Sequence, residues 1–215
     1  MASSVLDKAV PGPGGPGAPR GPNDSGPKDR PERGGSPGII GDPARFGLFA
    51  FMGTVSMLFI GFTSAYILRR ASPDWQPLAA PPVLWLNTGI LALSSGALEV
   101  ARRRQRGWDL ASAQRWGTAT AALGLAFLAG QFLGWQQLRE RGVFLASNPH
   151  SSFFYVLTGV HALHLVGGLV WGLVVVARLR RMTLTPGEDG LRLFATFWHF
   201  LGALWLYLLF LLFVY

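Results

Sequence analysis

The chain has 215 residues, half of them hydrophobic and only 14% charged, against about a quarter charged in an ordinary soluble domain. Its formal net charge is +8, but the arginines flank long apolar runs, as membrane insertion requires, so the basic balance does not point to nucleic acid. There is no cysteine, which excludes disulfides, thiolate metal sites and iron–sulfur ligation.

Residues 1–45 are rich in proline and glycine and contain no aromatic residue. Such a stretch buries too little apolar surface to offset its ordering entropy, so it is expected to be a disordered tail. Its start, MASSVLDKAV, lacks the apolar core of a signal peptide. Residues 46–215 then read as one domain with five apolar segments, at about 46–68, 83–100, 116–138, 153–177 and 193–214. Each is long enough to cross a hydrocarbon core of about 30 Å as a helix. The second is the shortest and most polar. The fold class is therefore an all-α membrane protein, a bundle of five transmembrane helices behind a disordered tail.

The arginines suggest an orientation. With the tail in the cytoplasm, the loops carrying Arg102, Arg103, Arg104, Arg106 and Arg115, and then Arg178, Arg180, Arg181 and Arg192, lie inside. Only Arg69, Arg70, Arg139 and Arg141 fall outside. The positive-inside rule thus places the N-terminus in the cytoplasm and the C-terminus on the external face. Trp75, Trp85, Trp108, Trp116 and Trp135 lie near segment ends and read as interfacial anchors. Gly130/Gly134 and Gly168/Gly172 have the GxxxG spacing that lets two helix backbones approach closely.

Four ionisable side chains fall within the spans: Glu99, His161, His164 and His199. An intramembrane ionisable group is by default a functional candidate. Three histidines could in principle ligate a metal or haem iron. Helical rise sets His199 some 5–10 Å nearer the cytoplasm than His164, whereas metal–nitrogen bonds are about 2 Å; one ion does not join all three. A proton path needs acids or histidines across the whole membrane, and the outer half has no acid. The remaining reading is structural. Each imidazole is expected to be satisfied by a hydroxyl, amide or carbonyl on a neighbouring helix, with Thr158, Gln131, Asn87, Thr88 and Ser94 available. Glu99 is one turn from Arg102 and Arg103 and is expected to pair with one of them.

NPHSSFFYVLTGVHALHLVGGL followed by FWHFLGALWLYLLFLL resembles subunit III of the haem–copper respiratory oxidases. RFGLFAFMGTVSMLFIGFTSAYILRR and PPVLWLNTGILALSSGALEVARR resemble the first two helices of the five-helix block shared by that family. The resemblance runs from about Arg45 to Tyr215 and implies the short bacterial form. Two departures stand out. The family often has a carboxylate in the middle of the first shared helix, where this chain reads GTVSMLF, with Thr54 and Val55. It commonly has an aspartate three residues after the histidine of WHF, where Gly202 stands here.

The resemblance implies a non-catalytic subunit of a terminal oxidase, most nearly an aa3-type cytochrome c oxidase, in a bacterial inner membrane. It implies that the chain binds no cofactor or metal and has no catalytic residue. Haem and copper would belong to partner subunits I and II. The chain would pack on subunit I, bind phospholipid, and support proton uptake and the stability of the active site. His161, His164, His199, Glu99, Arg102, Arg103 and Gln131 are the candidates for structural polar, lipid or subunit contacts. The equivalent subunit of a quinol oxidase, or a homologue associated with nitric oxide reductase, shares this block. An independent membrane b-type cytochrome or transporter using the three histidines is the rival from another class.

Overall fold

The structure is a computed structural model that describes residues 43–78, 80–181 and 190–215. The expectation of a disordered tail falls almost wholly outside those residues. Five helices follow one another: α1 (Pro43–Arg70), α2 (Pro82–Arg106), α3 (Leu110–Glu140), α4 (Pro149–Arg180) and α5 (Gly190–Phe213). All five are long and apolar enough to cross a membrane, and no strand occurs among the described residues. Each begins at or before the apolar run that predicts it, because polar and arginine-bearing turns continue the helix beyond the hydrocarbon. α1 starts at Pro43, inside the stretch expected to be tail.

Local chemistry sets the ends. α2 and α4 have proline in the first turn, where its missing N–H costs nothing. Asn148 caps α4 in a reciprocal capping box with Ser151. Between α2 and α3 only Gly107, Trp108 and Asp109 intervene. The Asp109 carboxylate accepts from the Ser112 N–H and caps α3. Trp108 makes the turn with φ +60°, a left-handed conformation that glycine or asparagine adopts more easily. Arg103, Arg104 and Arg106 close α2, where positive charge complements the helix dipole.

Helices α2, α3, α4 and α5 form a closed ring, each touching the next and α5 returning to α2. α1 stands outside that ring and, among the described helices, touches only α4 and α5. The two GxxxG spacings serve different seams. A Cβ on Gly130 would lie 1.9 Å from Asn87 Oδ1, and one on Gly134 would lie 3.3 Å from Leu84, so this pair seats α3 on α2. Gly168 and Gly172 seat α4 on α5, against Phe197, Leu201 and Phe194. The indole of Trp198 is wedged between α3 and α4, over Gly124 and Gly168. Without a hydrophobic drive between helices in lipid, such close contact supplies the dispersion that holds the bundle. Large apolar side chains point outward from every helix, Leu68, Met57, Leu86 and Leu163 among them, as a lipid-facing belt requires.

Candidate functional site

The interior carries a layer of polar contacts between helices. Asn87 Nδ2 donates to the Phe127 carbonyl at 3.0 Å and Ser94 Oγ to the Thr120 carbonyl at 3.1 Å, both from α2 to α3. Trp135 Nε1 donates to Thr158 Oγ1 at 3.2 Å, from α3 to α4. Trp205 Nε1 donates to Thr88 Oγ1 at 3.1 Å, from α5 to α2. These are four of the five side chains expected to serve the histidines, and among the described residues none of the four is bonded to an imidazole. Tryptophan N–H groups and backbone carbonyls take them instead. The indole N–H of Trp135 is thus directed at α4.

His161 stands in the middle of this layer with 1% of its surface exposed. Its ring stacks on Trp205, with centroids 5.5 Å apart, and meets the edge of Phe127 at 6.4 Å. Neither ring nitrogen has a hydrogen-bond partner, and the same holds for both amide atoms of buried Gln131 and for Trp198 Nε1. A buried polar group without a partner costs about 1–3 kcal/mol. His161 is therefore held by its rings and not by the hydrogen bonds expected of it.

His164 faces a different way. Its ring lies 6.2 Å from both Phe51 and Phe59 of α1, so it is level with Val55. This is the stretch where the family often has a carboxylate; here the imidazole meets aromatic rings. Its Nδ1 bonds to the Val160 carbonyl at 2.8 Å. A carbonyl only accepts, so Nδ1 carries the proton in this bond. The groove beside it, between α1, α4 and α5, holds about 300 Å³ and is lined by Phe51, Leu163, His164, Gly167, Trp171 and Phe197.

His199 faces a third way, into a groove of about 300 Å³ between α2 and α5, with Thr88, Leu91, Ser95, Gly202 and Ala203. Glu99 and Arg102 lie close enough to act on it electrostatically. Glu99 pairs with Arg102 at 3.1 Å and Arg103 at 3.3 Å, as the helical spacing implies. Since Gly168 meets Phe197 and Leu201, His199 is level with Gly168, about 6 Å along the bundle from His164. One turn of spacing does not put His161 and His164 on one neighbour, because three residues at 100° leave them about 60° apart. The three imidazoles diverge into the core, toward α1 and toward α2. No group of three or more histidine, cysteine or carboxylate side chains among the described residues could hold a metal.

One functional-looking residue escapes the sequence reading. His150, on the first turn of α4, is buried and ties four elements together. The Leu78 N–H donates to its Nδ1 at 3.0 Å. Nε2 then carries the proton and bonds to the Leu212 carbonyl near the end of α5, also at 3.0 Å. Trp75 stacks on the ring at 4.8 Å and Tyr66 of α1 meets it edge-on at 5.9 Å. The signal was present: Asn148-Pro149 fixes the helix start, which puts His150 on the first turn of α4.

Five helices long and apolar enough to cross a membrane, joined by polar contacts between neighbours and carrying histidines that face three different ways, define an all-α membrane protein. Residues 38–215 match the family described as cytochrome c oxidase subunit III. The cytochrome c oxidase subunit 3 of Synechocystis sp. is 35% identical over 184 residues, covering 80% of this chain and 76% of that protein. That of Thermostichus vulcanus is 32% identical over 178 residues, covering 78% and 85%. A probable cytochrome c oxidase subunit 3 of Nocardia farcinica is 27% identical over 166 residues, covering 74% and 82%. The chain belongs to the cytochrome c oxidase subunit III family, the part of the oxidase complex that is not its catalytic centre.

Proposed function

We propose that this chain packs on subunit I of an aa3-type cytochrome c oxidase in a bacterial inner membrane, with its N-terminus cytoplasmic. Haem and copper reside in subunits I and II. The chain contributes stability of the active site and support for proton uptake, and it binds phospholipid. The family match from residue 38 to the last residue carries this reading. The α2–α5 groove supports the lipid part. Its wall is largely apolar, Thr88 is already bonded to Leu84 and Trp205, and His199 lines it; Arg102, paired with Glu99, lies close enough to His199 to act on it, so a phosphate would lie at that arginine-rich end.

The test is purification of the oxidase through a tag on this chain. Subunits I and II and a haem a spectrum are expected in the eluate; a quinol oxidase would instead lack the copper signal of subunit II. Phospholipid retained after delipidation is expected to fall in Arg102→Leu. Retention equal to the wild type would remove the lipid proposal. Protease access to the tail only from the cytoplasmic face would support the orientation.

A further inference from the structure

Neutral His150 accepts at one nitrogen and donates at the other. Nδ1 takes the Leu78 N–H at 3.0 Å, and the proton on Nε2 goes to the Leu212 carbonyl at 3.0 Å. The first bond exists only while Nδ1 is bare. A charged imidazole donates at both nitrogens, and two donors cannot share a bond. Leu78 would then be released. Another partner stands close by. The Gln76 carbonyl, two residues earlier on the connection between α1 and α2, faces the ring and favours its charged form. That connection thus offers a donor to the neutral ring and an acceptor to the charged one.

The other contacts suit both states. The Leu212 carbonyl accepts from Nε2 either way. Trp75 stacks on the ring with the planes 12° apart, and an indole face attracts a cation. Tyr66 of α1 meets the ring edge-on. The charged and titratable groups around it come from three elements. α1 brings Tyr66 and Arg70, whose guanidinium lies over the Tyr215 ring beyond the end of α5, at 4.7 Å. The connection brings Asp74, which is engaged with Arg69 at 2.8 Å. On α4 itself the neighbours in sequence are Ser151 and Ser152. Burial weighs most against charging the ring, the Leu212 and Gln76 carbonyls favour it, and Arg70 opposes it. His150 precedes the apolar run at 153–177, so it lies at an end of the bundle and not in the hydrocarbon.

We infer that His150 is an acid-operated latch on the α1–α2 connection: neutral, it holds the Leu78 N–H; charged, it releases Leu78 and donates to the Gln76 carbonyl, while its bond to α5 and its stack on Trp75 persist. The connection around Leu78 loosens and the bundle stays closed. A buried ring near a guanidinium charges below about pH 6.5, the ordinary imidazole value. The Leu78 bond is therefore complete above that pH and is lost as pH falls below it.

The test uses the full chain in lipid nanodiscs, with its histidines labelled with ¹⁵N. Nitrogen shifts are expected to show Nδ1 of His150 bare at about pH 7.5 and protonated in acid. Exchange of the Leu78 amide, taken relative to its intrinsic rate at each pH, is expected to lose about tenfold of its protection in step with that titration. Amides at Phe127 and Leu165, within α3 and α4, are expected to keep theirs. A proton on Nδ1 at neutral pH would overturn the latch, as would Leu78 protection that ignores the titration. Loss of protection at Leu78 and Phe127 together would be global unfolding and would overturn it as well. In His150→Asn the side-chain oxygen accepts and does not titrate, so Leu78 is expected to stay protected in acid. An acid response equal to the wild type in that variant would place the titrating group elsewhere. If the variant does not fold, the wild-type titration and Leu78 exchange still decide.

Discussion

At position 161 a phenylalanine would keep the stack on Trp205 and remove two buried nitrogens that have no partner. Replacing such a group by an apolar ring of similar shape is neutral or stabilising. His161→Phe is therefore expected to hold or raise the thermal midpoint in detergent, by the equivalent of up to about 2 kcal/mol. A clear loss would mean that the imidazole makes a bond essential to the fold. His161→Leu is a poorer test, since it leaves a gap against Trp205. Gly130→Ala is expected to do the reverse. Its Cβ would meet Asn87 Oδ1 at 1.9 Å and force the amide off the Phe127 carbonyl. The cost is about 1–3 kcal/mol, and Asn87→Ala in the same chain should recover part of it. Gly159→Ala, with nothing within 4 Å of the new carbon, is the control and should be tolerated.

The short α2–α3 connection is where pH and backbone strain act on a whole element. The Asp109 carboxylate accepts from Ser112, which holds its pKa below the usual carboxylate value. A folded pKa below the unfolded one contributes stability above the unfolded value and loses it as pH falls through the folded value. The cap is thus complete at neutral pH and fails only in acid. Asp109→Asn keeps an oxygen acceptor, so it should match the wild type at pH 7 in a thermal scan and lose less below about pH 4. An identical acid response in both would exclude this cap as a source. Trp108→Gly relieves the positive φ and should stabilise the detergent-solubilised chain by about 1 kcal/mol. The five helices themselves were legible, because a run of about twenty apolar residues has one dominant meaning in a chain so poor in charge. Their true ends were not, since Arg102 to Arg106 and Pro43 to Arg45 extend helices past the apolar runs that announce them. The facing of each histidine was equally hidden. His161 and His164 differ by about 60° of arc, and which helix fills each direction depends on the order of helices around the ring. Nor could the sequence tell that Trp135 and Trp205 would claim Thr158 and Thr88 before any imidazole.

Across the molecule, His150 binds the connection after α1 to the ends of α4 and α5. His150→Phe would keep the stack on Trp75 and lose both bonds. Faster amide exchange at Leu78, with the centre of the bundle unaffected, is the expected outcome; protection equal to the wild type would show the bonds to be dispensable. The position of α1 has a consequence for how the protein is made. α1 is the first of these helices to leave the ribosome, yet among the described helices it packs on the last two. α2 and α3, joined by three residues, can close on each other at once. α1 must wait in the bilayer while the chain from α2 to α5 is synthesised, on the order of ten seconds at ordinary elongation rates. Its outward rings and aliphatic side chains, Phe46, Phe49, Met57, Ile60 and Leu68, suit it to that interval as a solitary helix in lipid. Its serines and threonines, each tied to a carbonyl of its own helix, need no partner while they wait.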